Sequence, residues 1–183
     1  MGSAVILIGP VRTGKSTVGS LLATKLTVPF YELDDLRFGY YNEIGYDRAE
    51  AKRRIEREGF WGLYRYWKPF EAYAVERLLK EHQEGVIAFG AGHSVYEDDV
   101  LFERVRAVMA PFPRVVLLLP SPDLGVTMGE LRARDTDAPV TEPDINEHFV
   151  RHHSNYDLAK EVVYTLGRTA EETCDEIRRR FGL

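Results

Sequence analysis

The chain has 183 residues, 44% hydrophobic and 29% charged, an ordinary globular composition and long enough to bury a core without staples. A formal net charge of -5 speaks against a dedicated nucleic-acid binder, and the basic cluster Lys52, Arg53, Arg54 and Arg57 reads as a solvated helix face. Cys174 is the only cysteine, which excludes an intrachain disulfide, and no apolar run is long enough to span a bilayer. With no charged leader ahead of the first apolar stretch, these features predict one cytoplasmic domain over residues 1–183, with no membrane and no nucleic-acid partner.

Ala4 to Ile8 is a continuous apolar run that suits a strand buried on both faces, and Ser16 to Leu26 has helical spacing. Between them lies Gly9-Pro10-Val11-Arg12-Thr13-Gly14-Lys15-Ser16, the pattern G-x-x-x-x-G-K-S in the strand, loop and helix order it requires. A triphosphate is polyanionic, so its site must offer many donors at once: inward-aimed backbone N–H groups and the positive end of a helix. Gly9 and Gly14 let the backbone approach with no Cβ in the way, Lys15 reaches the β- and γ-phosphates, and the Ser16 hydroxyl ligates Mg²⁺. Residues Gly9 to Thr17 are therefore the expected nucleotide-binding set.

A second short strand, Val28 to Leu33, ends in the acidic run Glu32, Asp34 and Asp35. Ligands of a parallel sheet sit beyond the carboxyl ends of its strands, so one of these carboxylates is placed to hold Mg²⁺ through water and another to hydrogen-bond an acceptor hydroxyl. The same acids also fit a plain helix N-terminus. No clear strand is expected from Leu36 to Lys68, which reads as an insertion: a charged helix over Arg48 to Glu58, then the aromatic stretch Phe60 to Trp67, whose stripe is chiefly packing. Pro69 fits the first turn of a new helix stopped by Gly85.

Val86 to Phe89 is the third strand, and Gly90-Ala91-Gly92-His93-Ser94 at its carboxyl end is small enough for close backbone approach to a ligand. Helix 98–109 and strand Arg114 to Leu119 follow, then a helix capped by Ser121-Pro122-Asp123 that runs to Arg132 and Arg134 and into a polar stretch suited to move, a lid over phosphates at about 132–143. Asp144 and Glu147 make a capping-box pattern before a helix bearing His148, Arg151, His152 and His153. The spacing of His148 and His152 suits two metal ligands, but the sequence defines no third. Val162 to Tyr164 is the fifth strand, and Thr169 with Glu172 caps a final amphipathic helix.

Strands alternating with helices around an early phosphate loop predict a three-layer α/β/α domain with a five-stranded parallel sheet, an acceptor-binding insertion at about 35–68 and a lid. This order resembles the shikimate kinases and their nucleoside monophosphate kinase relatives over nearly the whole chain, most tellingly in Glu32-Leu33-Asp34, Gly90-Ala91-Gly92 and Tyr156 to Ile177. The resemblance implies that Asp34 contacts the acceptor hydroxyl, that Glu32 helps organise Mg²⁺, and that Gly90, Ala91 and Gly92 form the acceptor-side turn. It aligns Arg134 with the lid arginine when one residue is gapped, adds Arg168 to the nucleotide contacts, and aligns Arg151 or His152 with a substrate arginine. Where the family has another arginine the nearest matches are Lys68 and Pro69, and lysine keeps the charge and loses the fork.

The implied activity is transfer of the γ-phosphoryl group of ATP, with Mg²⁺, to a hydroxyl of a small anionic metabolite. Lys15, Asp34 and Arg134 are its expected catalytic residues, with Lys68, the turn and Arg151 holding the acceptor. A nucleoside or nucleotide kinase is the first alternative, with the aromatic insertion stacking a base. A regulatory nucleotide-binding module without metabolite kinase activity is the second.

Overall fold

The computed structural model describes residues 2–134 and 144–183. Five parallel strands, β1 (Val5–Ile8), β2 (Phe30–Glu32), β3 (Val86–Ala88), β4 (Arg114–Leu119) and β5 (Glu161–Tyr164), form one sheet in the order β2-β3-β1-β4-β5. β1 lies at the centre, with Val5 registered against Val86 on one side and Arg114 on the other. Its continuous apolar run follows from that position, because both faces are covered. Ile6 and Ile8 join a core with Ile87, Phe89 and Leu117, whereas Val5 and Leu7 join Val18, Leu22, Cys174 and Ile177 on the opposite face.

The second face is covered by α1 (Lys15–Leu26) and α8 (Ala170–Phe181), which supply Val18, Leu22, Cys174 and Ile177. α8 carries the expected capping box: the Thr169 hydroxyl accepts from the Glu172 N–H, and the Glu172 carboxylate accepts from the Thr169 N–H. The first face receives side chains from α2 (Leu33–Glu43), α3 (Arg48–Glu81) and α4 (Asp99–Met109). α5 (Leu124–Arg134), α6 (Ile145–Arg151) and α7 (His153–Leu158) complete the order.

Two helix boundaries differ from the sequence reading. Pro69 is interior to α3, and the break falls at Gly59, whose backbone takes φ 64° and ψ −159°. Only glycine enters that region cheaply, so the change of direction is made there and Pro69 merely forgoes one helical hydrogen bond. α5 starts at Leu124, with the Asp123 carboxylate accepting from the Val126 N–H at 2.8 Å, so the capping acid is Asp123 and not Ser121. The aromatic stretch is largely packing: Phe60, Trp61 and Tyr64 gather with Val95 and Phe149 beside Val11 and Ala91 of the two ligand-facing loops.

Candidate active site

With β1 between β3 and β4, the carboxyl edge of the sheet has a crevice at the point where the chain reverses its direction of growth. The phosphate loop leaves β1 there, Asp34 follows β2, and Gly90 follows β3. A cavity of about 550 Å³ opens at this edge. Val11, Arg12, Gly14, Lys15, Ser16 and Thr17 line it from the loop side, and Glu32, Asp34, Ala91 and Arg134 line it from the others, together with Phe89.

Backbone geometry explains the two loop glycines. Gly9 has φ 137° and lies so close to the Leu118 carbonyl that a Cβ would overlap it, while Gly14 has φ 91° at the start of α1. Arg12 takes φ 63°, unusual for a residue with a side chain, and such strain gathers at ligand-binding loops. The Lys15 amine folds back on the loop, donating to the Gly9 carbonyl at 2.8 Å and the Pro10 carbonyl at 2.6 Å. Burial lowers its pKa to about 8, against the opposing pull of Asp34 and Glu32. The amine is thus held at the loop centre, ready to exchange carbonyls for phosphate oxygens.

The Ser16 hydroxyl hydrogen-bonds directly to the Glu32 carboxylate, which brings the two expected Mg²⁺ residues together. Two oxygen donors beside a phosphate loop fit a hard cation that keeps most of its water. Asp34 lies in the first turn of α2, paired with Arg37 at 3.1 Å. A Cβ on Gly90 would overlap its carboxylate, and one on Gly92 would meet Glu71, so the turn needs its glycines to sit against these acids.

Lys68 is placed differently from a free acceptor cation. Its side chain is buried, and the ammonium pairs with Glu71 at 2.5 Å while donating to the carbonyls of Gly92 at 2.9 Å and Val95 at 3.0 Å. Two of its donors are thus spent on backbone carbonyls and its charge is matched by Glu71. Arg151 is not brought to the 550 Å³ cavity: it is solvent-facing, bonded to Glu147 at 2.8 Å, and lines a separate cavity of about 360 Å³. Arg168 lies exposed in the loop between β5 and α8. Arg132 and Arg134 end α5, bonded to Asp144 and Glu130, whereas positions 135–143 of the expected lid lie outside the described residues.

Two residues at this edge were given no role of their own by the sequence. Asn146 on α6 accepts from the Val11 N–H at 3.1 Å, so α6 holds the phosphate loop across 135 positions of chain. His93 is buried behind the Gly90 turn, its Nε2 3.3 Å from the Tyr41 hydroxyl. Burial, opposed by nearby Asp34, drives its pKa down to about 3, so it is neutral at pH 7.

The family model for shikimate kinase matches residues 12–181. The chain belongs to the shikimate kinase family. A shikimate kinase of Streptomyces coelicolor is 32% identical over 92% of this chain and 89% of its own length. Among solved structures, the shikimate kinase of Acinetobacter baumannii in complex with shikimate superposes with a TM-score of 0.65 at 20% identity, covering 99% of this chain and 93% of that one. The Aquifex aeolicus shikimate kinase gives 0.62 at 23% identity, over 98% and 96%. At these identities the structures speak for the fold, and the family assignment rests on sequence. As a shikimate kinase family member the chain is an ATP-dependent phosphotransferase acting on a hydroxyl of a small molecule. Its fold is the α/β phosphate-loop kinase fold with a five-stranded parallel sheet.

Proposed function

We propose that the acceptor is a polyhydroxylated carboxylic acid of the shikimate type, and that Asp34 orients the hydroxyl that is phosphorylated. The observation that carries this reading is the convergence of Lys15, Ser16, Glu32 and Asp34 on one cavity at the carboxyl edge of the sheet. The acceptor oxygen attacks the γ-phosphorus in line, its proton passes to the Asp34 carboxylate, and the bond to the ADP oxygen breaks. Lys15 neutralises charge on the transferring group, and Arg134 at the cavity rim does so from the other side. Ser16 and Glu32 would hold Mg²⁺, which would supply charge neutralisation to the polyphosphate.

In this reading Lys68 shapes the acceptor site by holding the Gly92 and Val95 carbonyls, and it does not itself bind the carboxylate. The test is ADP release with shikimate and with a panel of other hydroxylated acids. Turnover with one such acid is expected, reduced roughly 10²–10⁴-fold in kcat by Asp34→Asn. Turnover confined to nucleosides, or an undiminished Asp34→Asn enzyme, overturns the assignment.

A further inference from the structure

Glu97, His148 and His152 take no part in the phosphoryl-transfer chemistry above, yet the fold brings them together from either end of a 56-residue span of chain, counting from 97 to 152. One ligand atom from each lies within 4.8 Å of the other two. His148 is on α6 and His152 caps its C-terminus, which puts the two rings 5.3 Å apart, and Glu97 projects from the loop ahead of α4 with Oε1 2.6 Å from His148 Nε2.

The surroundings hold these groups in place. The His148 ring meets Trp61 and Tyr64 edge-on at 5.2 and 5.8 Å between centroids. Tyr64 donates its hydroxyl hydrogen to Glu97 Oε1 at 2.7 Å. His152 Nδ1 lies 2.9 Å from the hydroxyl of fully buried Ser154, which in turn donates to the Tyr96 carbonyl at 3.3 Å. Ser154 holds Nδ1 through both its hydroxyl and its N–H, at 2.9 and 3.3 Å, so Nε2 is the ring nitrogen open to a metal, and binding there requires the Nδ1–H tautomer donating to the Ser154 hydroxyl. The cavity of about 360 Å³ beside His148 and His152 leaves room for a water or a small anion.

A plain ion pair between His148 and Glu97 needs neither the third ligand nor the oriented His152 ring. Two imidazoles and one carboxylate with an open position are the donor set of a zinc site, and they suit a borderline cation far better than Mg²⁺. We propose that Glu97, His148 and His152 bind a divalent transition metal of the zinc class, separate from the oxygen-donor site at Ser16 and Glu32. Bound there, the ion fastens the junction of α6 and α7 to the loop ahead of α4. Nothing in this depends on which acid the enzyme phosphorylates.

The experiment is calorimetric titration of Zn²⁺ into the metal-stripped full chain, without nucleotide and with excess Mg²⁺. One Zn²⁺ per chain is expected, with a melting temperature raised by roughly 5–10 °C at about a hundredfold excess over Kd. His148→Ala, His152→Ala and Glu97→Gln are each expected to weaken binding by about tenfold or more. His153→Ala, whose ring pairs with Asp157 at 2.7 Å, is expected to leave it unchanged. Ni²⁺ supplies a second readout that does not rely on stability: seated against His148 it quenches Trp61 fluorescence, and the quenching persists in Trp67→Phe. Absence of Zn²⁺ binding by the wild type, or binding untouched by all three ligand substitutions, overturns the proposal.

Discussion

Lys15 carries opposite demands in the free and the nucleotide-bound protein. In the free protein burial lowers its pKa to about 8, so the folded chain holds fewer protons than the unfolded one between about pH 8 and the ordinary value of 10.5. The cost of burying the charged amine is therefore borne below pH 8 and fades as pH rises from there. A bound polyphosphate restores the ammonium, so ATP binding above pH 8 takes up a proton and weakens as pH rises further. Calorimetry in buffers of differing ionisation enthalpy is expected to show this uptake near pH 9, and Lys15→Met is expected to abolish it. Lys68 shows what a buried pair does when one partner is removed. With Lys68 6% and Glu71 3% exposed, Lys68→Met leaves an uncompensated carboxylate, a loss of about 3–5 kcal/mol in urea denaturation. The double variant Lys68→Met with Glu71→Leu is expected to recover most of it, which a lysine serving only the acceptor does not predict.

At the scale of elements, α3 changes direction once, and Gly59 is the residue that permits it. Its φ of 64° with ψ of −159° is a conformation that side chains resist, and a Cβ there meets nothing within 4 Å. Strain, and not collision, sets the outcome: Gly59→Ala is expected to cost about 1–3 kcal/mol, read from urea denaturation, while leaving the helical signal of α3 intact. The helix on either side of the turn serves two different jobs. Residues before Gly59 form exposed ion pairs such as Arg54 with Glu50 and Glu58, and residues after it pack Tyr64, Phe70 and Leu78 into the interior. α6 has a comparable double role, holding the phosphate loop through Asn146 and presenting His148.

At the scale of the whole molecule, binding energy at the sheet's edge is expected to appear as global stability, because the phosphate loop, β1 and the surrounding helices share continuous cores. A ligand at about a hundredfold excess over Kd stabilises the folded state by about 2.7 kcal/mol, roughly 5–10 °C for a chain of this size. MgATP is expected to raise the melting temperature on this scale. In Ser16→Ala with Glu32→Gln, the part of the shift that depends on Mg²⁺ is expected to disappear while the part given by ATP alone remains. A scanning melt with and without chelator separates the two.

Much of this architecture was determined by the sequence alone, wherever the signal is local. The apolar run Ala4 to Ile8, the spacing of Gly9, Gly14, Lys15 and Ser16, and the Thr169 and Glu172 capping box each depend on neighbours within a few residues, so they can be read without the fold. The order of strands and helices likewise carried the fold class, the motif carried the expectation of nucleotide phosphate binding, and the family resemblance carried that of phosphoryl transfer. What only the tertiary structure decided is distant and electrostatic. That the Gly92 and Val95 carbonyls engage Lys68, that Arg151 lines a cavity other than the one at the phosphate loop, and that Glu97 completes a triad with His148 and His152 depend on segments tens of residues apart. A lysine or histidine has the same letter in the sequence whether its nitrogen is free or engaged, and only the three-dimensional packing around that nitrogen decides which chemistry it can do.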